Sequence, residues 1–96
     1  MEAGKHNAAE GEFRRAIELN PNHPLVHFNY GMLLERMMKA DEAIVQYRES
    51  LRIDPGYIPA RYSLAVLLIQ TEKIDAARKE LRTILMSVPD FKPARD

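Results

Sequence analysis

Pro21, Pro55 and Pro89 lie at a constant interval of 34 residues, and Asn7, Asp41 and Asp75 keep the same interval. Self-similarity at such a period means that one supersecondary unit is stacked on copies of itself, so the core is a seam running from unit to unit. Function in such a chain is to be sought on a face of the stack, not in a catalytic pocket.

Within each period the pattern is that of two antiparallel helices. Residues 24–38 are rich in helix formers and open on Pro24, which a first helical turn tolerates. A second helix follows Asp41 and runs to Ile53, with Ile44, Tyr47 and Leu51 at helical spacing, until Asp54, Pro55 and Gly56 stop it. The same order returns as a helix over 59–71, a cap at Asp75 and a helix to about Val88. Asn7, Asp41 and Asp75 are placed to accept hydrogen bonds from the free amides of the helix that follows, Asn7 forming a capping box with Glu10. The period divides the chain into a partial unit at 1–21, holding only a second helix from Ala8 to Leu19, and full units at 22–55 and 56–89. Residues 90–96 announce a further unit, because Pro89 to Arg95 copies Pro55 to Arg61. The expectation is a single domain excerpted from a longer array.

Inside the period, first helices carry His27-x2-Tyr30-Gly31-x2-Leu34 and Arg61-x2-Leu64-Ala65-x2-Leu68. Second helices carry Ala9-x3-Phe13-x2-Ala16, Ala43-x3-Tyr47-x2-Ser50 and Ala77-x3-Leu81-x2-Ile84. This arrangement resembles the tetratricopeptide repeat, and the resemblance covers nearly the whole chain in phase. It implies an all-α fold, an α-solenoid of helix-turn-helix pairs wound as a right-handed superhelix. His27 and Arg61 stand where the family often has tryptophan, and Ile84 where a small residue is usual, which suggests looser packing in the third copy. The residues support the same assignment physically: Gly31, Ala65, Ala43 and Ala77 are small where helices must approach, and Tyr47 and Leu81 fill the space between.

The composition narrows the function. Fourteen Lys and Arg against 14 Asp and Glu leave no excess charge to draw the chain to nucleic acid or to anionic lipid. No cysteine occurs, which excludes a disulfide framework, a thiolate metal site and a cysteine nucleophile. The N-terminus lacks the apolar run of a secretory signal, and no stretch approaches the roughly 20 apolar residues of a membrane span, so the segment as written reads as soluble, its compartment unknown with the cytoplasm favoured. No glycine-rich phosphate loop, nucleophile elbow or HExxH motif is present, and His23 and His27 have no third ligand placed beside them. Neither an enzyme nor a metal or cofactor is expected. Arg14, Arg48 and Arg82 form another row at the 34-residue interval, which reads as a solvated convex face.

Once the seam is assigned, a second face of the first helices remains. It presents Leu25, Phe28, Met32, Glu35 and Arg36, then Pro59, Tyr62, Val66, Ile69 and Gln70, with Asn29 and Ser63 beside them. In the family resembled, first helices line a concave groove that receives an extended or helical peptide, which implies partner binding for these residues. The apolar members equally suit packing between neighbouring first helices, and the array ends suit self-association. The family's carboxylate clamp for acidic chaperone C-termini needs cations where Pro59 and Ser63 stand, so that ligand is not expected, and an asparagine ladder stops at Ser63. The reading is a non-catalytic scaffold for a protein or peptide partner, with neither nucleic acid nor membrane as partner. The alternative is a structural spacer, self-associating into a homo-oligomer through its exposed ends, within a larger enzyme or a secretion or assembly protein.

Overall fold

A computed structural model describes residues 2–92 as five helices, with no strand among the described residues: α1 (Glu2–Leu19), α2 (Pro24–Arg36), α3 (Ala40–Ile53), α4 (Ile58–Gln70) and α5 (Ile74–Ser87). Each helix packs on the next in chain order, giving an all-α solenoid with extents of 39 × 27 × 25 Å.

Two kinds of link alternate, and local chemistry builds each. Between α1 and α2, and again between α3 and α4, Asn20 and Asp54 turn their side chains onto the chain ahead. The amide of Asn22 donates to Asn20 Oδ1 at 3.2 Å, and that of Gly56 to Asp54 Oδ1 at 3.2 Å. Such side-chain turns replace a helical hydrogen bond and let Pro21 and Pro55 follow without an unpaired donor.

Within each helix pair the turn is made by backbone instead. Lys39 N–H donates to the Leu34 carbonyl and Met38 N–H to the Glu35 carbonyl, while Lys73 and Glu72 do the same to Leu68 and Ile69. This is the Schellman closure, which needs a left-handed residue; Met38 (φ 62°) and Glu72 (φ 63°) supply it although neither is glycine.

These turns correct the capping assignment. The residues preceding α3 and α5 are Lys39 and Lys73, with no side-chain cap, and Asp41 and Asp75 lie inside the first turns. There they act on the exposed amides and the helix dipole through charge, not as caps. Asn7 is not a cap either. Helix α1 runs unbroken from Glu2 to Leu19, so Asn7 is an exposed mid-helix residue, and no boundary separates Ala8 from the residues before it. Alanine-rich sequence around it carries the helix through Gly4, and no tertiary contact calls for a break. Of the further repeat start that the sequence places at 90–96, residues 93–96 lie outside the described residues.

Most of the seam is as expected, but Leu81, expected to fill the space as Tyr47 does, is only half-buried and stands outside the core cluster. Tyr47, Leu34, Leu64 and Leu68 are fully buried, with Ala43, Ala60, Ala65 and Ala77 at the close approaches. Ile84 is fully buried as well. Its 34-residue counterpart Ser50 is also fully buried and donates to the Pro24 carbonyl at 2.9 Å.

Candidate functional site

The surface of the first helices is shaped by two contacts that recur at the repeat interval. His27 takes the tryptophan position and is nearly enclosed; its Nε2 donates to the Pro21 carbonyl at 2.8 Å, and its Nδ1 lies 2.7 Å from Gln46 Oε1. Thirty-four residues on, Arg61 donates to Glu80 Oε1 and, at 2.9 Å, to the Pro55 carbonyl. One polar side chain thus straps each first helix to its second helix and to the preceding proline turn.

The next residue makes an aromatic clasp. Phe28 meets Tyr57 edge-on with ring centroids 5.5 Å apart, and Tyr62 meets Phe91 at 5.6 Å. The clasping aromatic belongs to the turn that follows the second helix, so each clasp joins a unit to the one after it. Such pairs add to the stabilisation that burial alone provides.

Beyond straps and clasps a cleft of about 320 Å³ opens between α2 and α4. Met32, Glu35 and Arg36 line it from α2, and Tyr62, Ser63 and Val66 from α4. Tyr47 of α3 also reaches it, where its hydroxyl donates to Glu35 Oε1. Burial and this donation to a carboxylate push the Tyr47 phenol far above its ordinary range, with Ser63 acting weakly in the opposite sense. The cleft therefore keeps a neutral phenol and a fixed carboxylate in a lining that mixes apolar Met32 and Val66 with polar Arg36 and Ser63.

The face read from the sequence divides. Six of its residues, Met32, Glu35, Arg36, Tyr62, Ser63 and Val66, come together at the cleft. Phe28 is half-buried under its clasp and against Tyr47, and Asn29 is half-buried beside it. Leu25, Ile69 and Gln70 are exposed outside the cleft, at the ends of their helices. Sequence reasoning missed Tyr47 as a cleft residue because its seam role hid the hydroxyl. It also missed Gln46, Glu80, Tyr57 and Phe91, although the 34-residue interval that paired the prolines also pairs these positions.

The arginine row is solvated as expected, and two of its members also bridge helices. Arg14 donates to the Tyr30 hydroxyl at 3.2 Å and to Glu10 at 3.3 Å, and Arg48 lies 3.7 Å from Glu80. Both keep about half of their surface or more in water, yet they tie neighbouring helices; Arg82 is exposed. The Tyr30 hydroxyl donates to Glu10 at 2.8 Å, and Lys39 lies 3.6 Å from the same carboxylate. Chiefly through the Tyr30 bond, against an opposing cost of burial, the Glu10 carboxyl is held below its ordinary value. Among the described residues no group of three His, Asp or Glu is placed to hold a metal, and no helix is long and apolar enough to cross a membrane.

The fold and its repeats match known proteins. A tetratricopeptide repeat family model matches residues 37–95, and a second matches residues 12–45. The chain belongs to the tetratricopeptide repeat family. A crystal structure of MamA superposes with a TM-score of 0.82 at 28% identity, covering 85% of this chain and 48% of that one. Another MamA crystal structure gives 0.80 at 26% identity, covering 95% of this chain and 51% of that one. The chain thus spans about half the length of these MamA structures. The first TPR domain of Spaghetti (RPAP3), solved bound to the HSP90 peptide SRMEEVD, shares the fold with a TM-score of 0.82 at 18% identity, over 94% of this chain and 71% of that one. No curated protein matches the chain significantly. Within the tetratricopeptide family, generally a non-catalytic protein-interaction fold, the chain is a repeat scaffold whose tryptophan position is filled by polar straps.

Proposed function

We propose that the cleft between α2 and α4 binds an extended or helical segment of a protein partner, and that the two helix pairs α2/α3 and α4/α5 serve as the rigid frame presenting it. The observation that carries this reading is that Met32 and Val66 face the opening from adjacent first helices, while the aromatic residues beside them are already engaged in clasps. An apolar cleft with a few fixed polar groups is the usual form of a peptide-sized site. The peptide-bound Spaghetti domain of the same fold supports a peptide as the class of partner. Its acidic peptide is not carried over, because Pro59 and Ser63 stand where a carboxylate clamp needs cations.

The test is a peptide selected against this chain from a random display library. Aspartate at Met32 or Val66 should weaken that peptide at least about tenfold through the cost of desolvating a carboxylate in an apolar cleft, with helicity by circular dichroism unchanged. Retained affinity would remove the cleft assignment.

Self-association is the second reading, favoured by α5. Leu51 is 9% exposed within the core, whereas its counterpart Leu85 is 49% exposed and the adjacent Met86 is 84% exposed. Light scattering over a concentration series separates the two, since a monomer that still binds the selected peptide leaves only the cleft.

A further inference from the structure

We propose that the cleft selects a peptide segment carrying a cationic side chain next to an apolar one, with the cation held by Glu35. This rests on the peptide-binding reading above and gives the partner a chemistry. Four carboxylates of the described residues are buried or half-buried: Glu10, Glu35, Glu49 and Glu80. Glu10 is paired with Arg14 and Lys39, Glu80 with Arg48 and Arg61, and Glu49 with Arg52. Among the described residues Glu35 is the exception: its contact is the Tyr47 hydroxyl, a neutral donor that fixes one oxygen and leaves the negative charge uncompensated. A half-buried carboxylate with no ion pair among the described residues, in a chain that pairs its other sheltered carboxylates, is suited to receive a positive group.

Pre-organisation decides which charge the cleft favours. Glu35 is anchored by a fully buried residue, so little side-chain freedom is lost when a cation arrives. Arg36, which also lines the cleft, is exposed and has no hydrogen bond or ion pair among the described residues, so an anion would first have to order it. Met32 and Val66 lie in the same cleft, where an apolar side chain adjacent to the cation would be buried.

Three acetylated and amidated hexapeptides test this, Ala-Ala-Leu-Arg-Ala-Ala and its counterparts with Gln or Glu in place of the arginine. Each is titrated to millimolar concentration into the whole chain, following the Met32 and Val66 methyl resonances by NMR. The arginine peptide should bind about tenfold tighter than the glutamine peptide, and the advantage should shrink with salt. Glu35→Gln keeps an acceptor for Tyr47, and therefore the fold, but should abolish the difference. Equal binding of the three peptides, or preference for the glutamate peptide, overturns cation selection while leaving the cleft as a peptide site. If none of the three moves either methyl group, both the selection and the cleft reading fall.

Discussion

Gly31 lies against the ring of Tyr47 so closely that a methyl group on Gly31 would stand 2.6 Å from the ring's Cε1. The ring has nowhere to retreat, being fully buried with its hydroxyl held by Glu35. Gly31→Ala is therefore expected to lower stability by about 1–3 kcal/mol in urea denaturation, against a helix-propensity gain of about 1 kcal/mol. Adding Tyr47→Leu copies the residues found at 65 and 81 and should recover part of the loss; strictly additive effects would show that the two sites do not compete for space. Gly11→Ala supplies the contrast. Nothing lies within 4 Å of its new methyl group, and the expected change is a gain of about 0.5–1 kcal/mol.

Tyr30→Phe removes the bond that does most to hold the Glu10 carboxyl down. A carboxyl depressed in the folded state contributes stability that is present above its unfolded value, here 4.5, and is lost as pH falls through the lower folded value. The variant should lose about 1 kcal/mol near neutrality, and its Glu10 titration, read by carboxyl carbon NMR, should move upward. An unchanged titration would mean that Arg14 and Lys39 alone set the carboxyl.

The straps at 27 and 61 should be transferable as pairs but not as single residues. Arg61→Leu leaves Glu80 sheltered with only the more distant Arg48, and a loss of about 2 kcal/mol is expected. The double change His27→Arg with Gln46→Glu, which imports the second strap into the first position, should cost under about 1 kcal/mol, whereas His27→Arg alone should cost more. Thermal unfolding of the three variants reads this, and equal losses for the single and double changes would show that position 27 does not depend on 46.

Met38 and Glu72 hold left-handed backbone that glycine adopts freely. Met38→Gly and Glu72→Gly are each expected to raise stability by about 1 kcal/mol by relieving that conformation, net of the added freedom of the unfolded chain. Denaturant midpoints measure it. A loss at Met38, which is 89% exposed and has little packing to forfeit, would show that its backbone carries no strain.

Periodicity made the seam readable because a buried residue such as Leu34, Ala43 or Leu64 is chosen by a neighbour one helix away, and that neighbour recurs with the repeat. Capping was misread for a different reason. An aspartate ahead of a helix is used as a cap only if the chain leaves the amides open, and here the Schellman closures at Met38 and Glu72 bring the chain into the next helix before Asp41 and Asp75 are reached. At the cleft, the helical wheel placed Met32 and Val66 correctly on one face but could not separate them from Phe28, because Tyr57, which engages that ring, is distant in sequence. Tyr47 was assigned by its ring alone, and its hydroxyl supplied the contact to Glu35.

Straps and clasps fall on adjacent residues yet reach in opposite directions. A strap joins the two helices of one 34-residue block and reaches back to the proline that ends the block before it, as His27, Gln46 and Pro21 show, whereas a clasp such as Phe28 with Tyr57 reaches forward into the next block. At the boundary after Pro55 both fastenings meet, Arg61 reaching back to the Pro55 carbonyl and Phe28 reaching forward to Tyr57, so parting these two blocks breaks a directional hydrogen bond and an aromatic contact together.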